Sequence, residues 1–513
     1  MDVTNLMRRT VRFNADREAI VYRDRHVTFA EQWRRGCRLA HALIDMGLRA
    51  GDTVGVLEDN SLEAADLFCG AAIANVAKVP LYPRNSREAH VHMLSHTGCR
   101  VLVVSAAHAA DADGLVDEVP SLERIVVRDE GYEDWLTGWP DEDPMVPTGP
   151  DDIYIIRHTG GTTGPSKGVA YTHKAWLDAG RDWFYLFPPV EPGDRCLHVG
   201  PISHGSGYQF VPVWLGGGSN VLVDHFDPDE VLDIMERLRI AYGFMVPTMV
   251  NVLVRHPGVE GRDWSGLKCL MTAAAPIAED TALRAHQVFG DRLWQGYGQT
   301  EAVPVAMMGP RQWFAEVEGS QPLRAAGLPL PFADIAILDP ETHEEVPDET
   351  EGEIAIRCDG QMSGFWENEA ATAERIHDGW VLTGDIGRLD RNGYLYVVDR
   401  KDDMIISGGY NIWPAELENV LTNHPAVVEA AVFGIPSERW GESPMAVCTI
   451  DATVPVSPDE LISLCAEHLG SYKKPARVEL TTDPLPKSPV GKILRKQLRE
   501  PHWVGHERRV AGS

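Results

Sequence analysis

Short apolar runs alternate with amphipathic segments along the first 275 residues, and this pattern predicts strands that alternate with helices. The apolar runs predict strands at 53–57, 79–82, 100–105, 153–156, 169–171 and 195–199. The segments with helical spacing predict helices at 28–46, 61–76 and 87–97, from 174 onward, and at 228–238. Strands separated by helices of this length indicate a largely parallel, doubly wound sheet with ligands at its carboxyl edge. Because the alternation begins again after residue 172, we predict two similar subdomains.

The pattern changes in the last third of the chain. After Gly327, short strands separated by turn signals predict a small β-barrel-like part. The charged run at 399–403 directly follows a predicted strand and predicts a domain boundary. We therefore predict an α/β fold with a large N-terminal domain of two doubly wound subdomains over 1–399. A hinge at 400–403 then leads to a small α+β C-terminal lid domain over 404–513.

Length, composition and charge narrow the class of protein. At 513 residues with 44% apolar residues, the chain exceeds one compact core and has the composition of a globular protein. A net charge of -29 argues against a nucleic acid or an anionic membrane as partner. The first ten residues lack the apolar core of a signal peptide, and polar residues interrupt the most apolar window, near 67–81. We therefore expect no membrane span and a small-molecule substrate.

Eight scattered cysteines without a C-x-x-C pair argue against a zinc site or a disulfide framework and favour a cytoplasmic location. The charge is unevenly distributed, since residues 471–513 contain ten Lys or Arg and four Asp or Glu. This basic segment fits a polyanionic small molecule and equally fits a solvated helix face. A homodimer is compatible with these properties.

The segment HTGGTTGPSKGV at 158–169 has the composition of a phosphate-binding loop. Glycines let backbone N–H groups approach an anion, threonines add hydroxyl donors, and Lys167 adds a positive charge. A flexible surface loop is the alternative interpretation of the glycines alone. The segment is not a Walker loop, because Lys167 lies between Ser166 and Gly168 and is followed by a predicted strand.

The same segment resembles the T-S-G-T-T-G-x-P-K-G signature of the adenylate-forming superfamily, which includes acyl-CoA and aryl-CoA synthetases, luciferases and peptide-synthetase adenylation domains. Two positions differ, since Gly160 replaces the usual serine and Ser166 the usual proline. The resemblance implies that the loop binds the phosphates of ATP and that Thr163 is also catalytic. The phosphate-binding residues implied in this way are Thr159, Gly160, Gly161, Thr162, Thr163, Gly164 and Lys167.

A second motif, YGQTE at 297–301, is similar to the family's Y-G-x-T-E. It follows the strand-like segment 292–295, so we expect the preceding strand to end at residue 295. The resemblance implies that Tyr297 stacks on adenine, Thr300 binds the α-phosphate and Glu301 holds Mg²⁺, an ion that prefers oxygen ligands. The further nucleotide-binding residues that it implies are Gly298 and Gln299, together with Ala274 and Ala275 in a G-A-P-like turn.

The segment 383–402 resembles further family motifs. Its T-G-D sequence implies that Asp385 binds the ribose hydroxyls, a role suited to a carboxylate with two acceptor oxygens. The resemblance also implies that Arg400 contacts the ribose or phosphate and that Asp402 is the hinge residue. Considered alone, the aspartate at 385 would be an ordinary turn residue and the arginine at 400 an ordinary surface charge.

Two more motifs lie in the predicted lid domain. The sequence SGGYNIWPAELE at 407–418 closely matches the family and implies that Gly408 and Gly409 line the pantetheine tunnel. The sequence LPKSPVGKI at 485–493 aligns Lys492 with the family's catalytic lysine, which also contacts the nucleotide. A single lysine beside a glycine would otherwise be interpreted as a solvent-exposed residue.

Pro201, His204 and Gly207 resemble the family's P-x-x-H-x-x-G, whose histidine lies at the gate of the acyl pocket and near the thiol. The resemblance implies a catalytic role for His204, although an isolated histidine is more often structural. Peptide-synthetase domains have an aspartate just past this motif, and its absence from HGSGYQF disfavours amino acids as substrates. The implied substrate pocket consists of His204, Gly205, Gly207, Ala273 and Gly296.

The order and spacing of these motifs over 159–492 predict an AMP-forming acid:CoA ligase. In the implied reaction, ATP with Mg²⁺ activates a carboxylic acid to an acyl-adenylate, the lid domain rotates about Asp402, and coenzyme A accepts the acyl group. The alternative enzyme is an acyl-AMP ligase that loads a separate carrier protein. A catalytically inactive acyl or nucleotide sensor is the alternative from another class, and it is disfavoured by the intact Lys167, Glu301, Asp385 and Lys492.

Overall fold

The computed structural model describes residues 1–159, 166–400, 403–407, 410–437, 439–487 and 493–504. The chain separates into two compact units. The first consists of Met1–Ile335 and Ile356–Leu382, and the second consists of Ala336–Ala355 and the chain from Thr383 onward.

The described strands and helices alternate through most of the chain. The strands are β1 (Glu18–Tyr22), β2 (Arg25–Thr28), β3 (Thr53–Leu57), β4 (Ala77–Leu81), β5 (Val101–Ser105), β6 (Arg124–Arg128), β7 (Ile153–His158), β8 (Gly168–Thr172), β9 (Arg195–His198), β10 (Ser219–Leu222), β11 (Tyr242–Met245), β12 (Cys269–Thr272), β13 (Leu293–Gln299), β14 (Ala302–Met308), β15 (Leu328–Pro329), β16 (Ala333–Leu338), β17 (Gly352–Cys358), β18 (Gly364–Phe365), β19 (Ile376–His377), β20 (Trp380–Leu389), β21 (Leu395–Arg400), β22 (Ile405–Ser407), β23 (Tyr410–Ile412), β24 (Val427–Ser437), β25 (Gly441–Ile450) and β26 (Arg477–Thr481). The helices are α1 (Val3–Asn14), α2 (Phe29–Asp45), α3 (Leu62–Ala74), α4 (Arg87–His96), α5 (Ala109–Ala112), α6 (Leu115–Glu118), α7 (Tyr132–Thr137), α8 (His173–Tyr185), α9 (Gly207–Leu215), α10 (Pro228–Arg237), α11 (Pro247–Arg255), α12 (Glu279–Phe289), α13 (Pro310–Trp313), α14 (Glu369–Arg375), α15 (Pro414–Thr422), α16 (Pro458–Leu469) and α17 (Arg495–Arg499).

Several helices begin where a hydroxyl side chain accepts a hydrogen bond from the first turn. Thr28 accepts from the backbone N–H of Glu31 at the start of α2, as its capping-box sequence predicts. Ser61 and Thr172 do the same for α3 and α8, and Ser457 does so for α16. These hydrogen bonds satisfy N–H groups that have no partner inside the helix, so they fix where each helix starts.

Two sheets form the centre of the first unit. One has seven strands in the order β18-β8-β7-β4-β3-β5-β6, and the other has nine in the order β15-β14-β13-β12-β11-β9-β10-β1-β2. Strands β4, β3, β5, β6 and β7 are parallel in the first sheet, as are β1, β10, β9, β11, β12 and β13 in the second. Every residue of β3 and β4 is buried, in agreement with the apolar segments 54–57 and 79–81, and the burial in β4 includes Lys78.

A third sheet has the order β16-β17-β20-β19, and β21 pairs with β20. The second unit has a sheet in the order β23-β22-β25-β24, with β26 parallel to β25. Its apolar core includes Ile405, Leu417, Leu421, Val432 and Leu461. The prediction of an α/β fold with two doubly wound subdomains, a barrel-like sheet and a small α+β part is confirmed.

Candidate active site

Three of the predicted motifs lie at the carboxyl ends of neighbouring strands. Strands β9, β11, β12 and β13 are adjacent and parallel. The loop after β9 contains His204, the turn after β12 contains residues 273–275, and the end of β13 contains Tyr297. Open α/β sheets bind ligands outside the carboxyl ends of their strands. The fold therefore brings these motifs, which are far apart in sequence, to one edge of one sheet.

The predicted phosphate loop connects the antiparallel strands β7 and β8. The backbone N–H of Thr159 donates to the carbonyl oxygen of Lys167 at 3.0 Å and closes the base of the loop. The exposed Lys167 places its Nζ 5.1 Å from the ring centroid of Phe365. The other predicted phosphate-binding residues, Gly160, Gly161, Thr162, Thr163 and Gly164, lie outside the described residues, so their roles stay predictions.

The strand before the YGQTE motif is longer than expected. Strand β13 continues to Gln299, so the expectation that it ends at residue 295 is wrong. The antiparallel neighbour β14 pairs with residues 295–299 and supplies the hydrogen-bond partners that prolong the strand. Tyr297, Gly298 and Gln299 are therefore strand residues.

Thr300 and Glu301 form the tight connection from β13 to β14. The hydroxyl of Tyr171 donates to the carbonyl oxygen of Thr300 at 2.8 Å. The backbone N–H of Met362 donates to the carbonyl oxygen of Glu301 at 2.8 Å. Tyr171 of β8 and Met362, between β17 and β18, thus fix the backbone of the two residues that the family resemblance assigns to the α-phosphate and the metal.

The Glu301 side chain is buried, and its Oε1 lies 3.3 Å from Nη2 of Arg375. Within the described ranges, no cluster of three His, Cys, Asp or Glu side chains is arranged to hold a metal ion. Mg²⁺ typically takes one or two carboxylates and fills its other positions with water and substrate phosphate oxygens. A single partly neutralised carboxylate such as Glu301 fits that pattern of coordination.

The loop after β9 holds His204 against the other central sheet. The hydroxyl of Tyr82, the residue after β4, lies 3.0 Å from Nδ1 of His204, and the two rings meet edge to face. Burial raises the pKa of Tyr82 to about 12, so this phenol stays protonated at neutral pH. The half-buried His204 is therefore oriented by a neutral hydroxyl.

The small residues of the predicted substrate pocket lie in close packing. A β-carbon at Gly205 would lie 3.1 Å from the ring of Phe244, and one at Gly207 would overlap the carbonyl oxygen of Ile202. At Gly296 a β-carbon would overlap the terminal methyl group of Met271. Close packing explains why these three positions are glycine. Ala273 is buried at the end of β12, and its place in the pocket stays a prediction.

Ala274 adopts a left-handed backbone conformation, with φ of 74°, in the exposed turn after β12. A non-glycine residue in this region is uncommon and carries a steric cost. The family motif that this turn resembles has glycine at the same position. Glycine adopts this conformation without the steric cost, so the alanine makes the turn more strained than the family's glycine would.

In the second unit, Asp385 and Arg400 lie opposite each other on β20 and β21. Arg400 Nε is 2.6 Å from Asp385 Oδ1, and the carboxylate is buried. The preceding Gly384 has φ of 67° and donates its N–H to Oε1 of Glu353 at 3.0 Å. The T-G-D motif therefore lies within strand β20 and presents an arginine-paired carboxylate.

Four predicted residues, Asp402, Gly408, Gly409 and Lys492, lie outside the described residues. The segments on either side of 408–409, β22 and β23, pair antiparallel. Lys487 and Ile493, on either side of 488–492, form a backbone bridge. The roles assigned to these four residues stay predictions.

Sequence reasoning missed Arg157, which lies one residue before the end of β7 and is buried. Its guanidinium carbon lies 4.6 Å from the ring centroid of Trp176 and 4.3 Å from that of Tyr208. Within the described part of the chain, its Nε and Nη2 have no hydrogen-bond acceptor. The signal was present, because an arginine interrupts the apolar run that precedes the loop.

Three buried histidines predict a loss of stability in acid. Burial lowers the pKa of His158 to about 3 and those of His173 and His198 to about 4, and His158 is also near His96 and His92. Because unfolded histidines titrate near 6.5, the unfolded state binds more protons below that pH. These three histidines lower the free energy of unfolding by about 4 kcal/mol per pH unit near pH 5, and Asp399, whose pKa burial raises to about 7, offsets part of that fall.

Urea unfolding at pH 7, 6 and 5 measures this slope. The variant His173→Gln removes one of the three titrating groups and should reduce the histidine contribution to the slope near pH 5 by about one third. A free energy of unfolding that is constant from pH 7 to pH 5 would contradict the assignment of these histidines as neutral.

The chain matches known proteins over nearly its whole length. Residues 7–366 match the AMP-binding enzyme family, and residues 416–492 match the AMP-binding enzyme C-terminal domain. A feruloyl-CoA synthase from Amycolatopsis sp is 36% identical over 96% of this chain and 97% of its own. A fatty acid–[acyl-carrier-protein] ligase, ScoC of Streptomyces coeruleorubidus, is 32% identical over 98% of this chain and 97% of its own.

A solved structure extends the likeness to three dimensions. The o-succinylbenzoate CoA synthetase MenE from Bacillus subtilis, in complex with the acyl-adenylate intermediate OSB-AMP, superposes with a TM-score of 0.87 at 27% identity, over 97% of this chain and 98% of that one. None of the helices in the described ranges combines the length and hydrophobicity that crossing a bilayer requires. The resemblance inferred from the motifs is confirmed: the chain belongs to the AMP-binding enzyme family and is an AMP-forming acid–thiol ligase.

Proposed function

We propose that this ligase makes the coenzyme A thioester of an aromatic acid of the feruloyl type. The supporting observation is the 36% identity to a feruloyl-CoA synthase along almost the entire length of both chains. The carboxyl edge of β9, β12 and β13 carries His204, the turn 273–275 and the YGQTE motif. Open α/β sheets bind their ligands at this edge.

The reaction has two steps. In the first, a carboxylate oxygen of the acid attacks the α-phosphorus of ATP, the bond to pyrophosphate breaks, and an acyl-adenylate forms. In the second, the deprotonated thiol of coenzyme A attacks the acyl carbon, and AMP leaves with the electron pair of the anhydride bond. Phosphoryl-type transfers of this kind depend mainly on positioning and on electrostatic stabilisation.

The described residues offer groups for the first step. Thr300 is held by Tyr171 at the end of β13, where we propose that its hydroxyl binds the α-phosphate. Tyr297 lies on the same strand and would stack on adenine. Asp385 would accept hydrogen bonds from the ribose hydroxyls, and the ion pair with Arg400 orients that carboxylate. We assign the loop residues Thr159, Thr163 and Lys167 to the phosphates by family resemblance.

Glu301 would hold Mg²⁺, which when bound offsets negative charge on the phosphates. We expect Glu301→Gln to raise the Mg²⁺ concentration needed for half-maximal pyrophosphate release about tenfold or more, because a neutral amide replaces the carboxylate. Arg375→Met is the matched variant, since it removes the cation that competes for Oε1. That variant should lower the Mg²⁺ requirement, and an unchanged requirement in Glu301→Gln would contradict the metal assignment.

An acid panel tests the substrate proposal. Pyrophosphate release is measured with ferulate, a long-chain fatty acid and o-succinylbenzoate, followed by thioester formation with coenzyme A. We expect the highest kcat/KM with ferulate. A kcat/KM ten times higher with the fatty acid than with ferulate would overturn the aromatic assignment. If no acid gave pyrophosphate release, the sensor alternative would be favoured.

A carrier-protein acceptor is the second candidate, because a fatty acid–[acyl-carrier-protein] ligase is 32% identical along the same length. Comparing free coenzyme A with a phosphopantetheinylated carrier protein as acceptor decides between the two. We expect faster turnover with coenzyme A.

We also infer a cytoplasmic location, because all eight cysteines are free and buried, as a reducing compartment favours.

A further inference from the structure

A buried hydrogen-bond relay lies directly beneath the loop that carries His204. His198, the last residue of β9, is fully buried. Its Nδ1 lies 2.8 Å from Oγ of Ser206, and its Nε2 lies 2.8 Å from Oδ1 of Asn220 on β10. The sequence offers no motif for this arrangement, because its three members come from two strands and a loop.

The direction of every hydrogen bond in the relay is determined. Nδ2 of Asn220 donates to the carbonyl oxygen of Phe210 at 3.2 Å, so its Oδ1 is the acceptor for the histidine. His198 therefore has its proton on Nε2, and its Nδ1 accepts from the hydroxyl of Ser206. Burial lowers the pKa of His198 to about 4, so the ring is neutral at physiological pH.

Because it takes part in the relay, the Ser206 hydroxyl does not cap the helix that follows it. Ser206 occupies the N-cap position of α9, where a serine side chain commonly accepts from the first turn of a helix. Here the side chain makes no capping bond. Its hydroxyl instead donates to His198, which ties the end of the loop to the end of β9.

A second buried side chain fixes the beginning of the same loop. Nδ2 of Asn60 donates to the carbonyl oxygens of His198, Gly200 and Val223 at 3.1, 2.9 and 3.0 Å. Its Oδ1 accepts from the backbone N–H of Ile202 at 2.8 Å. Buried side chains that are fully hydrogen-bonded make a site rigid. Hydrogen bonds with the buried side chains of Asn60 and His198 therefore fix both ends of loop 199–206.

The held loop presents His204 at the sheet edge. The backbone N–H of His204 donates to the carbonyl oxygen of Pro201, and its own carbonyl oxygen accepts from Gly207. The first turn includes Ile202, which Asn60 anchors, and the second includes Ser206, which His198 anchors. The orientation of the His204 ring toward Tyr82 thus depends on the backbone that the relay fixes.

We propose that Ser206 and His198 are positioning residues that set the acid specificity of the ligase by fixing the wall of the acyl pocket formed by loop 199–206. This inference rests on the proposed function, in which His204 borders the acyl pocket. A fixed wall selects acids by shape, whereas a wall that moves accepts its preferred acid less well. The relay residues lie on β9, on β10 and in loop 199–206, whereas the nucleotide motifs lie on other elements, so we expect the relay to affect acid binding more than ATP binding.

The test compares Ser206→Ala, Ser206→Thr and His173→Leu in the full chain. Ser206→Ala removes the donor to His198, and Ser206→Thr retains a hydroxyl. His173 is the matched control, because it is a buried histidine on α8 whose Nδ1 accepts from the backbone N–H of Val3. KM values for ferulate and for ATP are measured by pyrophosphate release, and amide hydrogen exchange is measured over 199–207.

We expect Ser206→Ala to raise the KM for ferulate about tenfold, the effect of losing one buried hydrogen bond, with the KM for ATP within about twofold of the parent. Amide exchange over 199–207 should be about tenfold faster. Ser206→Thr should restore both values, and His173→Leu should change neither.

Two results would overturn the proposal: an unchanged KM for ferulate in Ser206→Ala, or an equal rise in both KM values. If the parent enzyme is inactive with ferulate, the aromatic assignment fails first, and the acid with the highest turnover in the panel replaces ferulate. If the parent is inactive with every acid, unchanged amide exchange over 199–207 in Ser206→Ala still overturns the relay.

Discussion

Replacing Lys492 by alanine is expected to slow acyl-adenylate formation by about 10²- to 10³-fold, the usual effect of losing one preorganised charge-stabilising donor. The assignment comes from the resemblance of LPKSPVGKI to the family motif, and it places the ammonium group on the phosphate that reacts. In the implied mechanism, the lid domain rotates between the two steps and carries this lysine away, so the lysine acts only in the first step. The same variant, supplied with preformed acyl-adenylate and coenzyme A, should therefore make thioester at close to the parent rate.

Lys487→Ala is the matched control for this prediction. Lys487 lies five residues earlier in the same motif, and its Nζ forms an ion pair with Glu429. A partly exposed pair of this kind contributes little, so both half-reactions should stay within about threefold of the parent rates. Single-turnover kinetics measures each step separately. If Lys492→Ala slowed both half-reactions equally, the lysine would be structural or the lid domain would not rotate between the two steps.

Much of the fold follows from local signals in the sequence. Strand β3 has the bounds that the apolar pattern predicts, helix α4 starts at the predicted residue 87, and α2 starts at its capping threonine. These elements are specified by residues a few positions apart. The extension of β13 to Gln299 was not predictable in the same way, because its partner β14 supplies the hydrogen bonds. The order of the strands likewise depends on pairings between distant segments.

In the candidate site, too, some features follow from local sequence and others depend on distant segments. Motif spacing identified Tyr297, Glu301 and His204, and the topology places their segments at one sheet edge. The sequence does not show that Tyr82 contacts His204, because 122 residues separate them. Contacts of this kind depend on how two sheets meet, which no local pattern specifies. The same holds for the hydrogen bond from Tyr171 to Thr300.

Gly207→Ala is expected to lower kcat/KM for the acid by about 100-fold, because the start of α9 has no room for a β-carbon. The added carbon would overlap the carbonyl oxygen of Ile202 and lie 3.1 Å from Nη2 of Arg157. The oxygen belongs to the backbone, and Asn60 anchors that residue through its N–H. Relief of the overlap therefore requires the loop itself to move, and a shift of about 1 Å in a positioning element typically costs about 100-fold in rate.

Gly200→Ala is the matched control, since it adds the same methyl group to the same loop. Its β-carbon would meet only the β-carbon of Ser206, at 3.8 Å, which is an ordinary van der Waals distance. Steady-state kinetics with the preferred acid should therefore place Gly200→Ala within about threefold of the parent, while Gly207→Ala falls far below it. Circular dichroism and thermal unfolding confirm that both variants fold. A folded Gly207→Ala enzyme with parental kcat/KM would show that the position of this loop does not control use of the acid.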